Sequence, residues 1–453
     1  MTPPLNRDDH GRPVAPVRIV HLGLGNFARA HQFWYTEHAP DAGDWGVAAF
    51  TGRRPDAADQ LRGQDGLYSL ITRGEDREDI EVVSAISALH ASAEHDAFLA
   101  HLAHPDVRVV TTTVTEAGYL RGADGGLHLG DAAVAADLAA VSHDRGAAAR
   151  TVPVRLAAGL DARRRAGAGS LTVVPCDNLS HNGAVLARVV LDAAEHIDPA
   201  LAEWIGGSVS WVTSMVDRIT PATTDQDRAD VAAARGYVDA SPVSTEPFSE
   251  WVLAGAFPGG RPDWEAAGAL VVDDVAPFEE RKLRMLNGAH SLMAYGASVR
   301  GHRTVAEAIA DPVVRSWVEE WWAATARHLT VPTDDYRAAL LERFSNARIQ
   351  HLLAQIAADG SQKLPVRVIP VVRAELEARS AGADGALRPV AAWVQHLRGH
   401  GAPVQDAGLP ESLVTPASDL EDAVTTVLRH LAPDLAAERA VVDRVTTLAR
   451  EIA

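Results

Sequence analysis

A chain of 453 residues exceeds what one hydrophobic core usually serves, so two domains are expected. Its 47% hydrophobic and 23% charged residues are ordinary for a globular protein. A net charge of −18, without a Lys/Arg cluster able to track a phosphate backbone, argues against nucleic acid as a partner.

Residues 1–16 are polar and proline-bearing, with no signal-peptide core. No apolar run approaches the ~20 residues that span a bilayer, so no membrane partner is expected. The single cysteine, Cys176, excludes an intrachain disulfide framework and fits a reducing, cytoplasmic location.

The run Val17 to Leu22 is apolar and β-branched and ends in glycines, which reads as a buried parallel strand. One helical stretch is expected to follow, through about His38. Between strand and helix, Gly23-Leu24-Gly25-Asn26-Phe27-Ala28 fits G-x-G-x-x-G/A. Gly23 permits the tight turn, Gly25 lets backbone approach a pyrophosphate, and the small Ala28 lets the helix pack on the strand. Further strands are expected at residues 46–50, 107–115, 171–175 and 208–216, with helices at 152–166 and 184–197. This βαβ rhythm argues for a doubly wound parallel sheet with helices on both faces, an α/β class.

An acidic residue at the end of the second strand would bond the ribose 2′-hydroxyl of NAD. Here Arg53 and Arg54 stand instead, and a guanidinium fork suits the 2′-phosphate of NADP. An exposed basic loop is the competing reading. The run Arg163-Arg164-Arg165 is expected on the solvent side of its helix. Cys176, after an apolar strand, is expected in the core. His101-x2-His104 is expected at a surface helix end before Pro105, not in a metal site.

After about Ala276 the pattern turns mostly helical, and the boundary is placed near Val275. The division is a dinucleotide-binding domain over 1–275 and a helical substrate domain over 276–453. Turns are expected at residues 359–361 and 381–385. Within the second domain Lys282, Asn287 and His290 form Lys-x4-Asn-x2-His. On an α-helix Asn287 and His290 fall at about 140° and 80° from Lys282, so all three share a face. A lysine able to lose a proton, beside an amide and an imidazole, can take the proton of an alcohol without a metal while a bound dinucleotide takes the hydride. Alternatively, Lys282 and Arg284 form a solvated edge and His290 is a satisfied core histidine.

These residues converge on a family. The chain resembles the mannitol dehydrogenase family, which includes fructuronate (D-mannonate) oxidoreductases. The resemblance is carried by the glycine motif with Arg29-Ala30-His31-Gln32, and by Thr113-Val114-Thr115-Glu116 with Gly118-Tyr119. It continues in Cys176-Asp177-Asn178 with Asn182-Gly183, Met215-Val216-Asp217-Arg218-Ile219, and Glu246-Pro247-Phe248 with Trp251. Gly260-Arg261-Pro262, the Lys282 motif, Arg343-Phe344-Ser345-Asn346 and Asp359-Gly360-Ser361-Gln362-Lys363 complete it.

The resemblance implies a Rossmann-like N-terminal domain, a helical C-terminal domain, and an active site between them. It implies metal-independent hydride exchange between NAD or NADP and a sugar alcohol, ketose or sugar acid, by a monomer or weak oligomer. Lys282 is then the general base. Asn178 and Asn287 hold the developing alkoxide, His290 orients substrate, Asp217 lines the pocket, and Glu116 links the lysine to solvent. Lys363 contacts substrate. Mannitol dehydrogenases proper place an arginine at the position of Gln355, whereas Gln355 resembles the fructuronate reductase branch. A free lysine has pKa ~10.4, so the role needs a shift toward ~7–8, which burial and a nicotinamide cation both favour. Mannitol/fructose is the type reaction, and fructuronate reduction is the alternative. A non-catalytic dinucleotide sensor would have no use for the base and its amide donors.

Overall fold

The computed structural model describes every residue except Met1, Arg53, Arg54, Ala381 and residues 415–418. It divides into two compact units, Met1–Ala276 and Pro277–Ala453.

The first unit is built on strands β1 (Val17–Leu22), β2 (Gly46–Phe50), β3 (Tyr68–Arg73), β4 (Glu78–Val83), β5 (Ile86–His90) and β6 (Val109–Thr112). It continues with β7 (Leu171–Pro175), β8 (Val209–Trp211), β9 (Thr213–Asp217), β10 (Val243–Thr245), β11 (Glu250–Ala254) and β12 (Leu270–Val271). Six of them form one parallel sheet in the order β5-β2-β1-β6-β7-β8. The order reverses between β1 and β6, which makes their carboxyl ends the topological switch point of a Rossmann-like sheet. Both faces are covered. Val20, Leu22, Ala48 and Phe50 join one apolar cluster, while Ile19, Val47 and Ala49 join another. Burial on both faces explains why these strands read as continuous apolar runs.

Three details depart from the sequence expectation. The stretch 208–216 is two strands: β8 closes the main sheet, and β9 pairs antiparallel with β11 in a separate sheet. The helix after the glycine motif is also two, Asn26–Ala30 and Gln32–His38, broken at His31. There His31 Nε2–H donates to Glu250 O at 3.0 Å, and Gln32 Nε2 donates to His31 Nδ1 at 3.0 Å. The turn expected at 381–385 is largely helix, because Ala383–Leu397 begins within it.

Arg163 is the clearest correction within the arginine run, whereas Arg165 is exposed as expected. Arg163 does not face solvent; it is 1% exposed, because the helix Val152–Ala166 is buried along almost its whole length. Its guanidinium donates to the carbonyls of Leu102, His104, Gly169, Ala168 and Ser170 at 2.8–3.2 Å. Arg164 is paired with Asp161 and Asp198. Burial without a described carboxylate partner pushes Arg163 down to about 10. Arg163→Met should leave those carbonyls without their donor and cost on the order of 3 kcal/mol or more. Urea unfolding of the two proteins checks this, and an unchanged midpoint would contradict it.

Every named element of the second unit is a helix among its described residues. The helix Ala383–Leu397 is its core, packed by Pro312–Ala326, Arg439–Ile452 and Met293–Ala297. Trp317, Trp321 and Trp322 are buried, as their spacing suggests.

Candidate active site

In the first unit the site residues gather at the carboxyl edge of the parallel sheet. Gly23 follows β1 with φ +107°, and a Cβ there would lie 2.3 Å from Thr113 O. Thr113 Oγ1 donates to Gly23 O at 2.8 Å, locking the glycine turn to the end of β6. At Gly25 an added Cβ would meet nothing nearer than Gly23 O at 3.6 Å, so this face of the turn is open. Phe27 stacks on His31 at 5.0 Å, and Ala28 is fully buried against the sheet. Asn26 is turned toward protein, donating to Pro221 O and Thr223 Oγ1 and accepting from Arg29. A tight glycine turn with an open face at the switch point fits a dinucleotide pyrophosphate. Arg53 and Arg54 lie outside the described residues.

Glu116 begins a short 3₁₀ turn just beyond β6 and is exposed. Asn178 follows β7, the neighbour of β6, and is also exposed. Its loop is anchored from both sides. The buried Tyr119 hydroxyl donates to Asp177, whose other oxygen takes Leu179 N at 3.0 Å. Burial, partly offset by these hydrogen bonds, raises Asp177 above the usual carboxylate range. Asn182 donates to Ser214 O at 2.9 Å and accepts from Ser214 N at 3.0 Å, tying this loop to β9. Asp217, at the end of β9, is 6% exposed. Cys176 is buried, as expected, and burial pushes its thiol well up.

In the second unit the Lys282 segment is not a plain α-helix. After Ala276–Arg281 the backbone widens into a π-helix over Lys282–Asn287, returns to α over Gly288–Leu292, and widens again over Met293–Ala297. Gly288 N–H accordingly reaches back to Leu283 O. The 100°-per-residue geometry expected for Lys282, Asn287 and His290 therefore fails at its first turn, because an i→i+5 turn holds more residues. Such segments are rare and frequently mark functional sites.

Two indoles stabilise the widened turn. Trp321 Nε1 donates to Arg284 O at 2.9 Å, and Trp322 Nε1 to Met285 O at 3.0 Å. Trp321 lies so close that a Cβ on Gly288 would meet its ring at 2.4 Å. Arg281, one residue before Lys282, sits 4.2 Å from the Tyr336 ring and donates to Pro332 O. Lys282 and Asn287 are half-buried. His290 is 7% exposed, with the Phe344 and His351 rings each 4.9 Å away. Arg284 pairs with Glu280.

The short helix Leu353–Ile356 and the helix Gly360–Arg367 both pack against Gly288–Leu292. Gln355 is exposed on the former. Lys363, on the latter, donates to Ala358 O at 2.6 Å and Ile356 O at 3.3 Å. His101 does not approach a metal-like cluster; its Nε2 faces His90 Nε2 at 3.1 Å. Among the described residues no group of three or more His, Cys, Asp or Glu side chains could hold a metal ion.

Comparison with known proteins decides the family. The mannitol dehydrogenase Rossmann domain matches residues 17–266, and the mannitol dehydrogenase C-terminal domain matches residues 274–453. The chain belongs to the mannitol dehydrogenase family. It is 36% identical to the D-mannonate oxidoreductase of Escherichia coli (strain K12) over 404 residues, 86% of this chain and 82% of the relative. A substrate-free D-sorbitol dehydrogenase matches with TM-score 0.88 at 29% identity, covering 100% of this chain and 95% of that one. The Pseudomonas fluorescens mannitol 2-dehydrogenase, in a ternary complex with NAD and D-mannitol, matches with TM-score 0.75 at 31% identity. That match covers 97% of this chain and 92% of the other.

Membership in this oxidoreductase family sorts the shared motifs. Arg218 and Glu246 are framework. Arg218 donates to Ala30 O at 2.5 Å and to Glu246 O, and Ile219 N donates to Glu246 Oε1 at 2.7 Å. The two π segments, the paired indoles and Arg367 escaped the sequence reading. Gly288, an unfavourable residue inside an otherwise helical run, was the one available hint of the close approach.

Proposed function

We propose that this mannitol dehydrogenase family member is a metal-independent, NAD(P)-dependent oxidoreductase that interconverts a sugar alcohol and a ketose, with D-mannitol/D-fructose as the type reaction. The carrying observation is the Lys282–Asn287 π-helix, which a paired-indole scaffold holds beside the buried His290. π-helical turns are rare and frequently mark functional sites, which supports a reacting role for the side chains this one carries.

In this reading Lys282 takes the hydroxyl proton during alcohol oxidation and returns it during ketone reduction. Asn178 and Asn287 donate to the oxygen as negative charge develops, His290 and Asp217 orient the substrate, and Glu116 relays the proton to solvent. Gly23, Gly25, Asn26, Phe27 and Ala28 form the pyrophosphate turn. A nicotinamide bound there supplies the hydride acceptor or donor. Lys363, held by two carbonyls, and Gln355 border the substrate end. The substrate is a small molecule, the location cytoplasmic, and the assembly a monomer or weak oligomer.

A sugar-acid reaction, fructuronate to D-mannonate, is the second reading; Gln355 and the similarity to D-mannonate oxidoreductase favour it. The test is oxidation of NADPH and NADH by the purified protein with fructose and with fructuronate. Turnover with fructose supports the type reaction, and turnover with fructuronate alone supports the second. Absence of turnover with both sugars and both nucleotides would contradict the proposal. On the cofactor, Arg53→Glu with Arg54→Ala should lower the NADPH/NADH ratio of kcat/KM by roughly tenfold or more, as expected for losing charge-assisted bonds to a 2′-phosphate. A ratio that stays put would remove the phosphate role.

A further inference from the structure

The second unit holds a guanidinium without an acid opposite it, next to the proposed reaction centre. Arg367 ends the helix Gly360–Arg367, which packs on both the Lys282–Asn287 turn and Gly288–Leu292. Its Nη1 lies 3.4 Å from Asn287 O and 3.3 Å from Ser291 Oγ, both long for hydrogen bonds. Nε and Nη2 donate to no described group, and no described carboxylate pairs with Arg367. Burial lowers its pKa, with the neighbouring Tyr295 acting in the opposite direction.

Other arginines of this unit differ. Arg388 is bridged to Glu320 and Glu451, Arg327 to Glu375, and Arg300 to Asp311. The Asp406 carboxylate is committed elsewhere. Asp406 accepts from Ser361 N and Oγ at 2.7 Å and from Gly408 N at 3.1 Å. Burial and the neighbouring Arg367 charge lower the pKa of Lys363, an effect that Asp359 and Asp406 only partly oppose.

Lys363 has already been spent on the carbonyls of Ile356 and Ala358. A partly desolvated guanidinium with an unused planar fork is built to receive an anion, and a carboxylate matches that fork in two parallel bonds. We propose that Arg367 is the anchor for a substrate carboxylate, so that the ligand class of this site is a keto-sugar acid and its hydroxy acid. The inference rests on reading Lys282, Asn287 and His290 as the reaction centre. Arg367 reaches the backbone of Asn287, and a sugar acid carries its carboxylate at the end of the chain away from the ketone. One molecule then presents its ketone to Lys282 and its charge to Arg367.

The experiment compares wild type, Arg367→Gln and Arg367→Lys with fructuronate and fructose, alongside melting temperatures. In Arg367→Gln the fructuronate/fructose ratio of kcat/KM should fall on the order of 10–100-fold, mainly through KM for fructuronate, as for loss of bonds to a charged group. Arg367→Lys keeps the charge but loses the fork, and should fall in between. It serves as the reporter should the glutamine variant not fold. An equal loss with both sugars would overturn the anchor and leave Arg367 a packing residue. Wild-type turnover of fructose without fructuronate would also overturn it, leaving the lysine reading intact. Full activity in a Lys282→Ala variant would instead remove the underlying reading.

Discussion

Lys282→Ala should lose turnover on the order of 10²–10⁴-fold, the range expected for removing a positioned general base. Dinucleotide affinity, measured by quenching of tryptophan fluorescence, should stay within about twofold, because the proposed nucleotide turn at Gly23–Ala28 belongs to the other unit. A structural role is separated from a chemical one by adding small primary amines, which should restore part of the rate to the alanine variant. Lys282 ends no helix and caps no chain; it is the first residue of the π-helix, whose shape is maintained from Trp321 and Trp322. Truncating its side chain leaves that scaffold in place, so the melting temperature should hold. A variant that turns over normally would remove the lysine-base mechanism altogether.

Gly23→Ala should be the most damaging single change in the first unit. The residue adopts φ +107°, and its new Cβ would lie 2.3 Å from a backbone oxygen of Thr113. That atom cannot swing away as a side chain could, because Thr113 N is bonded to Leu22 O at 2.9 Å. The turn must therefore shift as a unit, and strain of this kind costs about 1–3 kcal/mol before any clash is counted. The expected outcome is at least a tenfold rise in KM for the nucleotide, with the protein still folded by circular dichroism. Gly25→Ala is the matched control, since its Cβ makes only an ordinary contact with Gly23 O at 3.6 Å in the free protein. It should leave stability unchanged and weaken nucleotide binding alone. A Gly23→Ala variant with wild-type KM would show that the turn does not cradle the nucleotide.

The local and periodic features were legible in the sequence. Strands β1, β2 and β7 stand where their β-branched, two-face-buried runs put them, and the glycine motif sits between strand and helix. Val209–Trp211 and Thr213–Asp217 were read as one strand because both segments are apolar and β-prone. The separation at Val212 depends on β9 finding β11, a pairing with residues far along the chain. Arg163 misled for a related reason. Three consecutive arginines look solvated by residue type, yet the carbonyls of Gly169, Ala168 and Ser170 lie just beyond the helix end. Their dense oxygen cluster satisfies a buried cation, and no pattern of hydrophobicity reports it.

By itself, the sequence determined the α/β class of the first unit, the helical character of the second, the glycine turn and the Lys-x4-Asn-x2-His motif. Each of these depends on residue type within one or two turns of chain, where sterics and side-chain period act directly. The tertiary structure alone decided that Lys282–Asn287 is a π-helix, that Lys363 is committed to two carbonyls, and that Arg367 makes only long bonds through Nη1. A π turn depends on acceptors and donors brought from elsewhere, here the indoles of Trp321 and Trp322. Whether a cation is spent or free depends on which oxygens fold against it, and burial makes that difference matter by removing water as the alternative partner.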